Sequence, residues 1–179
     1  VCWRLARQLA ARSDCGTVRL WVDDLPSFSR IAPGIVPGQA VQTLNDIAVV
    51  HWDQATITRP DLLDPADLVI EAFACEPPPE YVARLTPRQL WLNLEYLSAE
   101  AWVESCHGLP SPQPNGLRKF FFFPGFTSST GGLLREPQLI SQRNTWQADQ
   151  RARLALLAQL GVNADWLRRI EAGARLVYV

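Results

Sequence analysis

The chain has 179 residues, 47% hydrophobic and 20% charged, with a net charge of −1. That length suits one domain with part of a second, and that apolar fraction supports a packed core and excludes wholesale disorder. Acids and bases are interleaved in nearly equal numbers, which argues against nucleic acid as a partner, and no run of about 18 apolar residues exists to span a membrane.

In chain order, Val1, Leu5 and Leu9 with Cys2, Ala6 and Ala10 form an apolar stripe, with Arg4, Arg7 and Gln8 off it, which predicts a helix. Thr17–Val22 is β-branched and aromatic and reads as a strand. Asp23-Asp24-Leu-Pro-Ser-Phe predicts a short helix with acidic residues in its first turn, ending near Pro33-Gly34. Residues 35–46 carry turn chemistry without a clear period. Further strands are expected at Ile47–Trp52 and at Leu68–Phe73, the latter holding Glu71. Pro77-Pro78-Pro79 leads into a helix around Glu80–Arg84.

The stretch from Gln89 to Glu100 organises the rest. Leu90, Leu92, Leu94 and Tyr96 share one face of a predicted strand, and Trp91, Asn93 and Glu95 the other. An amide and a carboxylate near the carboxyl end of an apolar strand mark a candidate site, because ligands of open α/β sheets bind outside those ends. The competing reading is an edge strand whose second face is wet. A helix follows from Ala99 to Ser105, then a structureless proline-rich loop, residues 106–117. Arg118–Phe123 is a strand with four consecutive Phe, core on both faces. It enters a small-residue loop, Pro124 to Gly132, whose backbone amides a ligand could approach. Helices are expected near Pro137, over Arg151–Leu160 and over Ala164–Ala172. Strands alternating with helices predict an α/β, Rossmann-like parallel sheet with crossover helices.

Motifs narrow the chemistry. Walker, GxGxxG, GxSxG and HExxH patterns are missing, as is Asp-x-Asp. Cys2, Cys15, Cys75 and Cys106 lack zinc-site spacing and, with no signal peptide in view, read as reduced thiols in a cytoplasmic protein. Cys106-His107 makes a poor catalytic pair, and His107 is expected to anchor the proline loop. Glu71 is expected to make a structural hydrogen bond.

Three segments carry a family resemblance: Val1-Cys-Trp-Arg-Leu-Ala-Arg-Gln-Leu; Asn93-Leu-Glu-Tyr-Leu-Ser-Ala-Glu with Trp102 and His107-Gly-Leu-Pro-Ser-Pro; and Phe121-Phe-Phe-Pro-Gly-Phe-Thr with Thr130-Gly-Gly-Leu-Leu-Arg-Glu. Shorter agreement lies at Leu20-Trp-Val-Asp-Asp-Leu and Val69-Ile-Glu-Ala-Phe-Ala-Cys-Glu. In these the chain resembles the N-terminal part of bacterial elongation factor P arginine rhamnosyltransferases. The resemblance implies the N-terminal half of a GT-B glycosyltransferase, transferring L-rhamnose from dTDP-β-L-rhamnose to an arginine of elongation factor P with inversion. No metal or other cofactor is expected. The acceptor protein docks on the N-terminal domain, and the nucleotide sugar is held by a C-terminal domain.

On this reading residues 1–143 form the acceptor-side domain, and 144–179 a helical connector with the start of the C-terminal domain, Arg175–Val179 beginning a strand. The family's proposed base is an aspartate in a glycine- and aspartate-containing turn before the helix that here opens at Val1. Both ends are therefore expected to be cut and the chain to be inactive alone. Asn93, Glu95 and Tyr96 are expected to bind the acceptor arginine or support the base, and Phe126, Thr127, Gly131 and Gly132 to approach the donor. The alternatives are a non-catalytic protein-binding module on the same scaffold and a GT-B enzyme with another acceptor.

Overall fold

The structure, a computed structural model, describes residues 1–177. The chain divides into two compact units, Val1–Leu134 and Arg135–Val179.

The first unit opens with α1 (Cys2–Ala10), which turns Ala6 into the core and sets Trp3 edge-on against Phe28 at 5.5 Å. Strand β1 (Val18–Val22) leads to α2 (Leu25–Ile31). Asp24 is the N-cap of α2 and accepts from Ser27 N–H at 2.9 Å, so the expected first-turn acid lies one step earlier, as the cap. β2 (Val41–Leu44) and β3 (Ile47–His51) follow; β3 pairs parallel with β1 and antiparallel with β2. Lying between two partners, β3 is buried on both faces, with Ile47, Val49 and Val50 fully enclosed.

The strand β2 falls within residues read as turn chemistry without period. Its apolar alternation is interrupted by Gln42, a buried amide whose side chain bonds Val36 N–H (2.9 Å), Val36 C=O (3.0 Å) and Gln39 C=O (2.7 Å). Asn45 and Asp46, both at positive φ, make the two-residue turn that a tight hairpin needs.

The second sheet contains β4 (Leu68–Ala72), β5 (Leu90–Leu94), β6 (Pro110–Pro112) and β7 (Arg118–Phe122), in the order β4-β5-β7-β6. β4, β5 and β7 are parallel, joined through α3 (Pro79–Val82) and α4 (Trp102–Cys106). The expectation of one parallel sheet is thus corrected to two hydrogen-bonded sheets, each parallel but for one antiparallel edge strand. That architecture is mixed α/β and agrees with a Rossmann-like fold. The wet-edge reading of β5 fails, because β5 is interior and Trp91 and Asn93 are buried. The proline loop is not structureless: Pro110–Pro112 pairs with β7, its prolines sparing the outer edge of the sheet from further pairing.

Two cores result. Ala6, Leu25, Phe28, Ala32, Ile35, Ile47 and Val49 pack around the first sheet. Leu63, Val69, Tyr81, Leu85 and Trp91 pack around the second, with Trp21 of β1 against them. Burial lifts the Tyr81 hydroxyl above the usual phenol range.

The second unit is helical: α5 (Leu139–Ala148), α6 (Gln150–Gln159) and α7 (Ala164–Glu171), the last two capped by Asp149 and Asn163. Residues 175–177 form no strand, and the remainder of the strand expected at Arg175–Val179 lies outside the described residues.

Candidate functional site

In the second sheet, register decides which side chains meet. Val69, Trp91 and Lys119 lie across from one another, as do Glu71, Asn93 and Phe121. Alternation puts these six, with Glu95, on one face. That face is buried and yet carries charge. Glu71, 2% exposed, accepts from Trp91 Nε1 at 3.0 Å and from Lys119 Nζ at 2.7 Å, so its expected structural role holds. Lys119 also lies over the Trp91 ring, 5.3 Å from its centroid.

Next along β5 comes Asn93, 1% exposed. Its Oδ1 accepts the Ala74 N–H at 2.9 Å and its Nδ2 donates to Glu95 Oε1 at 2.6 Å. The amide therefore ties the turn after β4 to the carboxylate at the end of β5. That turn is strained: Phe73, Ala74 and Glu76 all hold φ between 51° and 58°, a region costly for non-glycine residues. The strain aims the Phe73 ring at Tyr96, and the two stack at 4.1 Å and 15°. Asn93, Glu95 and Tyr96 thus converge at the carboxyl edge. Phe73 and Ala74 join them, and nothing in a Phe-Ala-Cys-Glu string signals a left-handed backbone.

The loop after β7 begins beside this group. Glu95 N–H donates to Phe122 C=O at 2.9 Å, and Ser98 N–H to Pro124 C=O at 3.4 Å. The loop closes on itself: Gly131 N–H reaches Phe123 C=O at 2.8 Å and Gly125 N–H reaches Gly132 C=O at 3.2 Å. Gly131 is explained by packing, since a Cβ there would lie 2.3 Å from the Phe122 ring. Its amide is engaged, which removes it from the set of open donors. Gly132, at φ +72° with open space before it, leaves its backbone approachable. Phe126 (63% exposed) and Thr127 point to solvent from the same loop. His107 anchors the start of the proline loop to the end of β7: its Nδ1 accepts Phe123 N–H at 3.1 Å and its ring meets Phe122 edge-on at 5.1 Å.

The first sheet's carboxyl edge is polar but internally satisfied. His51 Nδ1 lies 2.8 Å from Asp53 Oδ2, and Nε2 3.1 Å from Asp23 C=O. Asp53 is held below the usual carboxylate range by hydrogen bonds from Thr56, its backbone N–H foremost, and by nearby His51. Among the described residues no three His, Cys, Asp or Glu are placed to hold a metal, and no helix is long and apolar enough to cross a membrane.

Residues 1–173 match the family model described as "Elongation-Factor P (EF-P) rhamnosyltransferase EarP". A protein-arginine rhamnosyltransferase of Pseudomonas putida is 55% identical over 166 residues, covering 91% of this chain and 43% of its own length. Its namesake in Pseudomonas aeruginosa is 48% identical, covering 99% of this chain and 45% of its own length. That of Shewanella oneidensis is 46% identical, covering 90% and 42%. The chain spans less than half the length of these relatives.

Proposed function

The chain belongs to the elongation factor P rhamnosyltransferase family, and on that premise we propose that it forms the acceptor-side, Rossmann-like half of a GT-B enzyme. That enzyme moves L-rhamnose from dTDP-β-L-rhamnose to an arginine of elongation factor P, inverting the anomeric carbon. The relatives are named for rhamnose transfer to protein arginine, which supports the reaction class.

The observation that carries the site is the buried Asn93, which holds one oxygen of Glu95 at 2.6 Å. The other carboxylate oxygen, Oε2, has no partner among the described residues. A guanidinium is protonated at neutral pH and is a poor nucleophile. A fixed carboxylate orients it by charge-assisted hydrogen bonding and selects which nitrogen faces the sugar. Glu95 is given that orienting role. The base that takes the proton as the C–N bond forms is assigned to an aspartate outside these residues. Tyr96, backed by Phe73, offers a flat surface for the guanidinium plane. Phe126, Thr127 and Gly132 remain assigned to the donor side, with Gly131 shaping their loop.

Inversion requires the acceptor nitrogen opposite the dTDP leaving group, so a small displacement of Glu95 is expected to cost turnover more than stability. Glu95→Gln in the full-length enzyme is expected to lower rhamnosylation of elongation factor P at least about a hundredfold. The melting temperature should change little, because Glu95 is only half-buried. Intact-protein mass spectrometry, reading the gain of one deoxyhexose, decides it, and unchanged turnover removes Glu95 from the site.

The second reading, a non-catalytic docking module, rests on the exposed Tyr96, Leu97, Trp102 and Phe126. It is separated by mixing this 179-residue chain with elongation factor P. A complex whose acceptor gains no mass after dTDP-rhamnose is added, while the full-length enzyme is equally inert, favours docking alone.

A further inference from the structure

Of the three residues assigned to the acceptor, Tyr96 is the least secured. It lies just past the end of β5, is 68% exposed, and makes no hydrogen bond among the described residues. Its one ring contact among them is with Phe73, stacked on it at 4.1 Å and 15°. Phe73 is itself held firmly. Its N–H donates to Leu94 C=O at 2.8 Å, and the next two amides donate to Asn93 Oδ1 (2.9 Å) and Ala72 C=O (3.2 Å).

Phe73 keeps that place at a backbone cost. At φ +58° it occupies the left-handed region, which glycine enters freely and a bulky side chain does not. Core packing does not account for the ring, since Phe73 is only half-buried and belongs to neither core. A strained backbone kept under a half-exposed aromatic points to a use for the ring itself. Stacking covers one face of Tyr96 and leaves the opposite face to a flat cation. A guanidinium lies parallel on an aromatic face, whereas an ammonium has no plane to align.

Resting on the acceptor site assigned above, we propose that Phe73 is a positioning residue: it sets the plane of Tyr96 and, through it, the plane of the acceptor guanidinium. Docking of a protein acceptor spreads over a broad surface, so alignment of one side chain registers in kcat rather than in KM. In the full-length enzyme Phe73→Leu keeps the backbone cost and removes the ring. It is expected to lower kcat about tenfold, with KM for elongation factor P within about threefold. Phe73→Tyr keeps a ring to stack and should hold kcat within about threefold of the parent. Phe73→Gly accepts the left-handed backbone freely, so it serves should Leu not fold, and is expected to lose as much kcat as Phe73→Leu. Tyr96→Leu should fall by a similar factor. Adding Phe73→Leu to it should cost no more than about twofold further, because the two rings act in series. Additive losses, or unchanged kcat in Phe73→Leu while Tyr96→Leu falls, overturn the positioning role and leave the acceptor site standing. Unchanged kcat in Tyr96→Leu removes Tyr96 from that site, and the role of Phe73 with it.

Discussion

Glu71 uses both carboxylate oxygens, one on Trp91 and one on Lys119, with its own side chain wholly enclosed and that of Lys119 13% exposed. Breaking such a pair from one side is costly, because the remaining charge has neither water nor partner. Lys119→Met is therefore expected to lower unfolding free energy by about 3–5 kcal/mol, read from urea denaturation. Glu71→Leu with Lys119→Met should recover most of the loss, since two apolar side chains replace the pair without leaving a charge behind. A loss below about 1 kcal/mol for Lys119→Met would show that Glu71 finds another partner. The same residue-scale logic separates Asn93 from its neighbours. A buried amide with both ends committed holds a strained turn and a carboxylate in one geometry, so a change at Asn93 moves Ala74 and Glu95 together.

At the scale of elements, caps and edges explain which parts of the fold could be read from sequence. Asp24 is held below its ordinary value of 3.8 by hydrogen bonds from Ser27, its side chain foremost and then its backbone N–H. A depressed carboxylate contributes stability above its unfolded value and loses it as pH falls through the lower folded value. Asp24→Asn keeps a good cap and removes the titration. It is expected to leave the melting temperature at pH 7 nearly unchanged and to flatten the decline as pH falls below the ordinary carboxylate value. An acid limb identical to the parent's would mean that the α2 cap is not sensed globally. Asp-Asp-Leu-Pro announced that helix, and the apolar runs announced β1, β3, β4, β5 and β7, because cap chemistry and period are local. β2 and β6 were not legible. Gln42 interrupts the period of one, and prolines make up the ends of the other, so only pairing with a distant neighbour makes them strands. The site divides the same way. Asn93 and Glu95 stood out as polar residues on an apolar strand. Phe73 and Ala74 did not, because their left-handed backbone is imposed by tertiary contacts that no composition encodes.

Across the whole molecule, the distribution of buried side chains decides which part is self-sufficient. Both cores consist of residues between Ala6 and Trp91, with Leu117 the last partly buried side chain packed on them. In the second unit α5 and α6 run ten residues each and α7 eight, and none has a buried side chain. Helices this short are marginal in water unless an apolar face is packed. A chain ending at Leu134 is therefore expected to keep a single cooperative melt, since every buried core side chain remains. The peptide 135–179 should lose helicity gradually on heating, without a calorimetric peak. Circular dichroism and scanning calorimetry on the two pieces test this. A truncated first unit that melts without cooperativity would show that residues after Leu134 complete its core. The outcome bears on catalysis, because Asn93 can hold Glu95 for an incoming guanidinium only if the sheet beneath it is rigid on its own. Should that rigidity need residues beyond Leu134, orientation of the acceptor would depend on them too, and Glu95→Gln would then have to be compared in chains of equal length.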